Sequence, residues 1–143
     1  MRLWHKDLVI ALPRQQLLGQ WRECCLIAKN IAETGSPNHL LVNPIMDYDL
    51  NHFVSYCRWV AACMNQRGWV ADLDKIKKYI WKRHYWYSYA NIDLCDLFPG
   101  WHNQRYLQQC LANLEEKHDR GGISDEEWNL LLRHLSHLRS KGA

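Results

Sequence analysis

No stretch of this chain stays apolar long enough to span a bilayer, because charged or polar residues interrupt every hydrophobic run. A membrane-embedded protein is therefore not expected. The amino terminus carries no signal-peptide hydrophobic core, since His5, Lys6 and Asp7 break it, and a cytoplasmic location is the expectation. None of the six cysteines forms a Cys-x-x-Cys pair. The adjacent Cys24 and Cys25 would point about 100° apart on a helix. They read as reduced residues, four of the six lying on apolar helical faces. His102, His134 and His137 match no known structural zinc spacing, so neither a metal nor a cofactor is expected. A glycine-rich phosphate loop, an internal repeat and a low-complexity tract are all missing. Charge is nearly balanced too, and a formal +3 is only a weak bias toward polyanions.

The 143 residues are 48% hydrophobic and 23% charged, which suits one folded domain with a core of its own. Eight tryptophans and seven tyrosines are the unusual feature. Such rings fill cores and interfaces, and they can also stack on nucleic-acid bases.

Hydrophobic periodicity predicts an all-α domain of about five helices without a sheet. The first runs from about Pro13 to Glu33 and stops at Thr34-Gly35-Ser36-Pro37. Its apolar stripe is Leu17, Trp21 and Cys24, with Leu18, Cys25 and Ala28 beside it. Residues 1–11 read as a short mixed arm, and 36–47 as a loop with a brief apolar tether. A second helix begins after Asp49, buries Phe53, Val54, Cys57, Val60, Ala61 and Met64, and ends at Arg67-Gly68. A third spans Asp72 to Lys82, with Leu73, Ile76 and Ile80 inward. Phe98-Pro99-Gly100 is a break. A fourth runs from Asn103 to His118 around Leu107, Cys110, Leu111 and Leu114. In the last helix Ser124 and Glu127 form a capping box, and Trp128, Leu131, Leu132, Leu135 and Leu138 point inward.

Three features could carry chemistry. Arg22 and Glu23 lie just off the apolar stripe of the first helix, where half burial is one way to raise a carboxylate's pKa; they also fit ordinary surface charges. Trp81 to Tyr89 mixes cations and rings densely, which suits either a segment wedged against the helices or a surface that touches nucleic acid. Arg2 is large, and methionine removal generally needs a small second residue, so Met1 is expected to stay and carry the free α-amine. An α-amine titrates at about 7.7–8.0 in ordinary surroundings, so a substantial neutral, nucleophilic fraction exists near physiological pH.

Met1-Arg2-Leu3, followed by Gln15-x-Leu17 and then Trp21-Arg22-Glu23, resembles the pyrimidine-dimer DNA glycosylases of the phage endonuclease V type. The opening Met-Arg-Leu-Trp-His and Leu-Pro-Arg-Gln-Gln-Leu-Leu-Gly-Gln are closer still to uncharacterised bacterial proteins of that family. The likeness is best over residues 1–25, looser over Tyr48 to Gly68, and weaker over Leu107 to Lys117.

The resemblance implies a DNA repair glycosylase with AP-lyase activity acting on damaged double-stranded DNA. In that family the N-terminal amine attacks sugar C1′, displaces the base and forms an imine, and β-elimination then cuts the strand. Carried over to this chain, the Met1 amine would be the nucleophile and Glu23 the assisting carboxylate. Arg2, Arg22, Gln15, Gln16 and Lys117 would contact DNA. This sequence departs from the phage pattern in four places. Met1 stands for a threonine exposed by processing, Gln16 for a histidine, and Leu26 and Asn113 for arginines. The alternative is a non-catalytic nucleic-acid-binding module on the same fold.

Overall fold

A computed structural model describes residues 1–142. The described residues form five α-helices joined by short 3-10 turns, with no strand. They are α1 (Arg14–Thr34), α2 (Leu50–Gln66), α3 (Leu73–Arg83), α4 (Gln104–Asp119) and α5 (Asp125–Gly142). The all-α architecture read from periodicity is therefore the one observed.

Each helix end has a local cause. Pro13 sits at the N-cap of α1 rather than inside it, and Gly35 closes the helix at φ 86°, a left-handed turn that glycine adopts freely. Asp49, Asp72 and Asn103 cap α2, α3 and α4 by accepting backbone N–H bonds at 2.8–2.9 Å. Each such cap is worth about 1 kcal/mol. Ser124 caps α5 by accepting the Glu127 N–H at 3.1 Å. The Glu127 carboxylate departs from the expected capping box. One oxygen takes the Ser124 hydroxyl, and the other accepts the Arg14 N–H at 2.7 Å. That N–H is an orphan donor at the start of α1, where a carboxylate is favoured.

Helix α1 packs most closely on α3 and also on α2, while α4 pairs with α5. The α1 core stripe is Leu17, Gln20, Cys24, Ile27, Ala28 and Ile31. Val42 and Ile45 are the buried tether of the 36–47 loop. Cys24, Cys57, Cys63 and Cys110 are buried; Cys25 is half-buried, Cys95 is exposed, and all six are free thiols. Two inward assignments in α5 need correction. Leu132 is exposed and Leu138 only half-buried, because α5 lies at the edge and covers its neighbours with little more than Leu131 and Leu135.

The largest correction concerns residues 1–11, which form no loose arm. Leu3, Leu8 and Val9 are fully buried, and His5 and Lys6 nearly so. The Lys6 ammonium donates to the carbonyls of Cys95 and Leu97, both at 2.9 Å, and its N–H donates to His102 Nδ1 at 3.0 Å. Tyr48, His52, Tyr56, Phe98, Trp101, His102 and Tyr106 pack ring against ring around this segment, with His5 stacked on His102. Phe98, at the centre, adopts φ 48°, which costs a bulky residue about 1–3 kcal/mol. The surrounding rings and the bond from its N–H to His52 Nδ1 at 3.1 Å hold it there.

Candidate active site

The site is built from the way α1 receives the amino-terminal segment. Gln20 is 1% exposed, a polar side chain on the core stripe. Its Oε1 accepts the Trp4 N–H at 2.7 Å, and its Nε2 donates to the Arg2 carbonyl at 2.9 Å. One amide thus grips both sides of the segment as a neighbouring strand would. The Tyr56 hydroxyl reaches the same place, 2.6 Å from the Trp4 carbonyl and 3.0 Å from Gln20 Oε1. The Tyr106 hydroxyl donates to the Leu3 carbonyl from α4. Burial raises both tyrosine pKa values, and Arg2 partly opposes this at Tyr106, so both hydroxyls remain protonated donors.

Glu23 lies one turn beyond Gln20. It is half-buried, while its neighbour Arg22 is an exposed surface charge. Its Oε2 accepts the Arg2 N–H at 3.3 Å and the Gln20 amide at 3.4 Å. The half-buried Met1 is the residue before that N–H. Since one residue spans at most about 3.6 Å, the Met1 nitrogen lies within about 7 Å of Glu23 Oε2. Among the described residues no ion pair within 4.0 Å joins the two.

The other sequence-derived residues divide between places. Arg2 is half-buried, its guanidinium 5.5 Å from the centre of the Trp4 ring. Burial pushes the neighbouring Cys110 thiol up, and Arg2 pulls it the other way. Gln15 and Arg22 are exposed and seven residues apart, so they share a stripe of α1. Gln16 and Glu23 share the adjacent stripe, and Gln16 Oε1 is buried without a hydrogen-bond partner. Lys117 is exposed on α4, in register with Tyr106, Cys110 and Asn113 but about 16 Å along the helix from Tyr106. Arg2 and Glu23 are thus brought together with Met1 beside them, whereas Lys117 stands well along α4.

Sequence reading missed Gln20, Tyr56 and Tyr106. Gln20 left a signal, because a glutamine stands between Leu17 and Cys24 where the stripe calls for an apolar residue. The tyrosines left none, as their partners are backbone carbonyls far away in sequence. No group of three or more His, Cys, Asp or Glu side chains is placed to hold a metal among the described residues. His134 is engaged with the Asp7 carbonyl at 2.8 Å, and His102 is enclosed by the aromatic cluster.

Fold and site together define a class: a small helical protein whose first peptide segment is held against a carboxylate on its first long helix. The family model for pyrimidine dimer DNA glycosylase matches residues 1–77, more than half of the chain. The chain belongs to that family. The matched stretch carries Met1, Arg2, Gln15, Gln16, Arg22 and Glu23, whereas Lys117 lies beyond it. No curated protein and no solved structure gives a significant match. No described helix is long and apolar enough to cross a membrane.

Proposed function

We propose that this protein is a DNA glycosylase with AP-lyase activity, acting through the Met1 amine and Glu23 on damaged duplex DNA. One observation carries the reading. In a member of this family, the first peptide N–H after Met1 is hydrogen-bonded to a half-buried glutamate.

The neutral Met1 nitrogen bonds to sugar C1′ as the glycosidic C1′–N bond breaks. The base leaves with that electron pair and takes up a proton. The C1′–O4′ bond then opens; nitrogen sheds a proton, O4′ gains one, and a protonated imine links Met1 to C1′. Glu23 is placed to carry the proton between these atoms and to offset the positive charge that builds on the sugar. Loss of a C2′ proton expels the 3′-phosphate by breaking the C3′–O bond. Water finally hydrolyses the imine and restores the amine. Arg2 and Arg22 suit charge-assisted phosphate contacts. Reaching C1′ in a duplex requires a kink or an extruded nucleotide, which costs least at a damaged site.

The test is incision of a duplex carrying a single pyrimidine dimer, and of one carrying an abasic site. Cleavage leaving an unsaturated aldehyde at the 3′ end is expected with the untagged protein. Specific duplex binding without any cleavage would instead favour the non-catalytic module.

A further inference from the structure

The chain's charge is unevenly placed. Helix α3 and its cap carry Lys75, Lys77, Lys78, Lys82 and Arg83 against Asp72 and Asp74, an excess as large as the formal +3 of the whole protein. Arg83 serves the fold, donating to the carbonyls of Ala32 and Glu33 at the end of α1. None of the four lysines forms an ion pair among the described residues. Beside them stand Trp81, Tyr85 and Trp86, which are 61%, 79% and 68% exposed. So many large rings in solvent on a basic surface run against the usual economy of folding.

These residues enclose a shaped space. A cavity of about 360 Å³ is lined by Asp74, Lys77, Lys78, Trp81, Tyr87 and Tyr89, among others. Its size falls at the small end for ligand pockets. Trp81 is fixed by its indole N–H, which donates to the Tyr87 carbonyl at 2.9 Å. Lys77 Nζ lies 4.4 Å over the Tyr89 ring. Tyr87 also borders a second cavity with His84 and Trp86. The Tyr87 hydroxyl and His84 Nε2 are buried with no hydrogen-bond partner. Orphaned polar groups of this kind call for an explanation, and a polar ligand entering the space would supply one.

We propose that α3 and the 84–92 segment form a platform for an unpaired stretch of DNA, with a base against Trp81 and the backbone along Lys75, Lys78 and Lys82. Rings that stack on any base beside free cations that follow phosphates are the physical recipe for single-strand binding. The inference rests on the proposed reading for the partner's being DNA. Its evidence lies elsewhere: α3 meets α1 on the Cys25 side, where Lys75 lies near that thiol. Cys25 and Glu23 point about 160° apart around the helix.

The experiment measures binding of a short, labelled, undamaged single strand by fluorescence anisotropy over a range of salt. Trp81→Ala should weaken binding by about tenfold, the scale of one lost stacking ring, while Trp81→Phe retains most of it. Lys78→Ala should lower the log–log salt slope by about 0.7. Glu23→Gln should bind the strand as the unaltered protein does, whatever its effect on cleavage. Circular dichroism checks that each variant is folded. Unchanged affinity in both Trp81→Ala and Lys78→Ala would overturn the platform. So would loss of single-strand binding in Glu23→Gln, or equal displacement by base-free polyphosphate at equal charge. Failure of the platform leaves incision untouched, and failure of incision leaves strand binding measurable.

Discussion

Tyr48, Tyr56, Phe98, Trp101 and Tyr106 pack buried or half-buried among histidines, whereas Trp81, Tyr85 and Trp86 stand in solvent. The first group spends its polar atoms on backbone, as Tyr56 and Tyr106 do on the carbonyls of Trp4 and Leu3. Next to the second, the Tyr87 hydroxyl and His84 Nε2 are buried without a partner, and the lysines of α3 form no ion pair among the described residues. Composition alone could not separate the two groups. Exposure does. A close-packed ring cluster that bonds the amino-terminal segment fixes one geometry, as the proposed attack of the amine on C1′ requires. An open basic surface tolerates many geometries, which suits a flexible strand.

Several changes would sharpen or break that contrast. Glu23→Gln should have the largest effect, lowering incision by about 10²–10⁴-fold. An amide oxygen can still accept the Arg2 N–H, so thermal stability should stay close to that of the parent. Incision at the parent's rate would remove Glu23 from the chemistry.

Gln20→Leu comes next. It orphans the buried Trp4 N–H and the Arg2 carbonyl, each worth about 1–3 kcal/mol. Urea denaturation should show a loss of about 3 kcal/mol, together with reduced incision. A variant as stable as the parent would mean that the amide does not hold the segment.

The fold was largely legible because capping residues and apolar stripes are local signals. Asp49 and Ser124 cap their helices as read, and Asp72 and Asn103, read as the first residues of theirs, turn out to be the caps. The burial of residues 1–11 was not legible, since what buries it comes from positions 20, 56, 102 and 106. Half of the candidate site was visible through the resemblance at Met1 and Glu23. Gln20 could have been suspected from its place on the stripe, but its partners are peptide groups, which carry no sequence signature. Lys117 was readable only by likeness, and it stands well along α4.

A smaller effect should follow from pH. Burial pushes the His102 imidazole down to about 2, and burial also lowers His5 and His52. The unfolded chain takes up these protons at about pH 6.5 while the folded one does not. Their full contribution is therefore present above that pH and is lost as pH falls below it. For His102 the loss is about 1.4 kcal/mol per pH unit. Melting curves at pH 7 and pH 5 should show it. His102→Asn, which keeps an acceptor for the Lys6 N–H, should flatten the slope; an unchanged slope would contradict the assignment.

The smallest expected effect is that of Lys117→Ala. Duplex affinity should fall a few-fold, with a salt slope smaller by about one and no change in the rate of the bound complex. A large loss of rate would place Lys117 at the reacting atoms, against its distance from them.

The most direct measurement is a borohydride trap. The untagged protein is mixed with a duplex carrying one abasic site and reduced, and the crosslinked peptide is sequenced by mass spectrometry. A covalent band is expected whose sugar remnant maps to the Met1 amine, and no band after selective acetylation of that amine. A crosslink at Lys6 or any other lysine, or no crosslink with a verified free amino terminus, would contradict the proposed role of Met1.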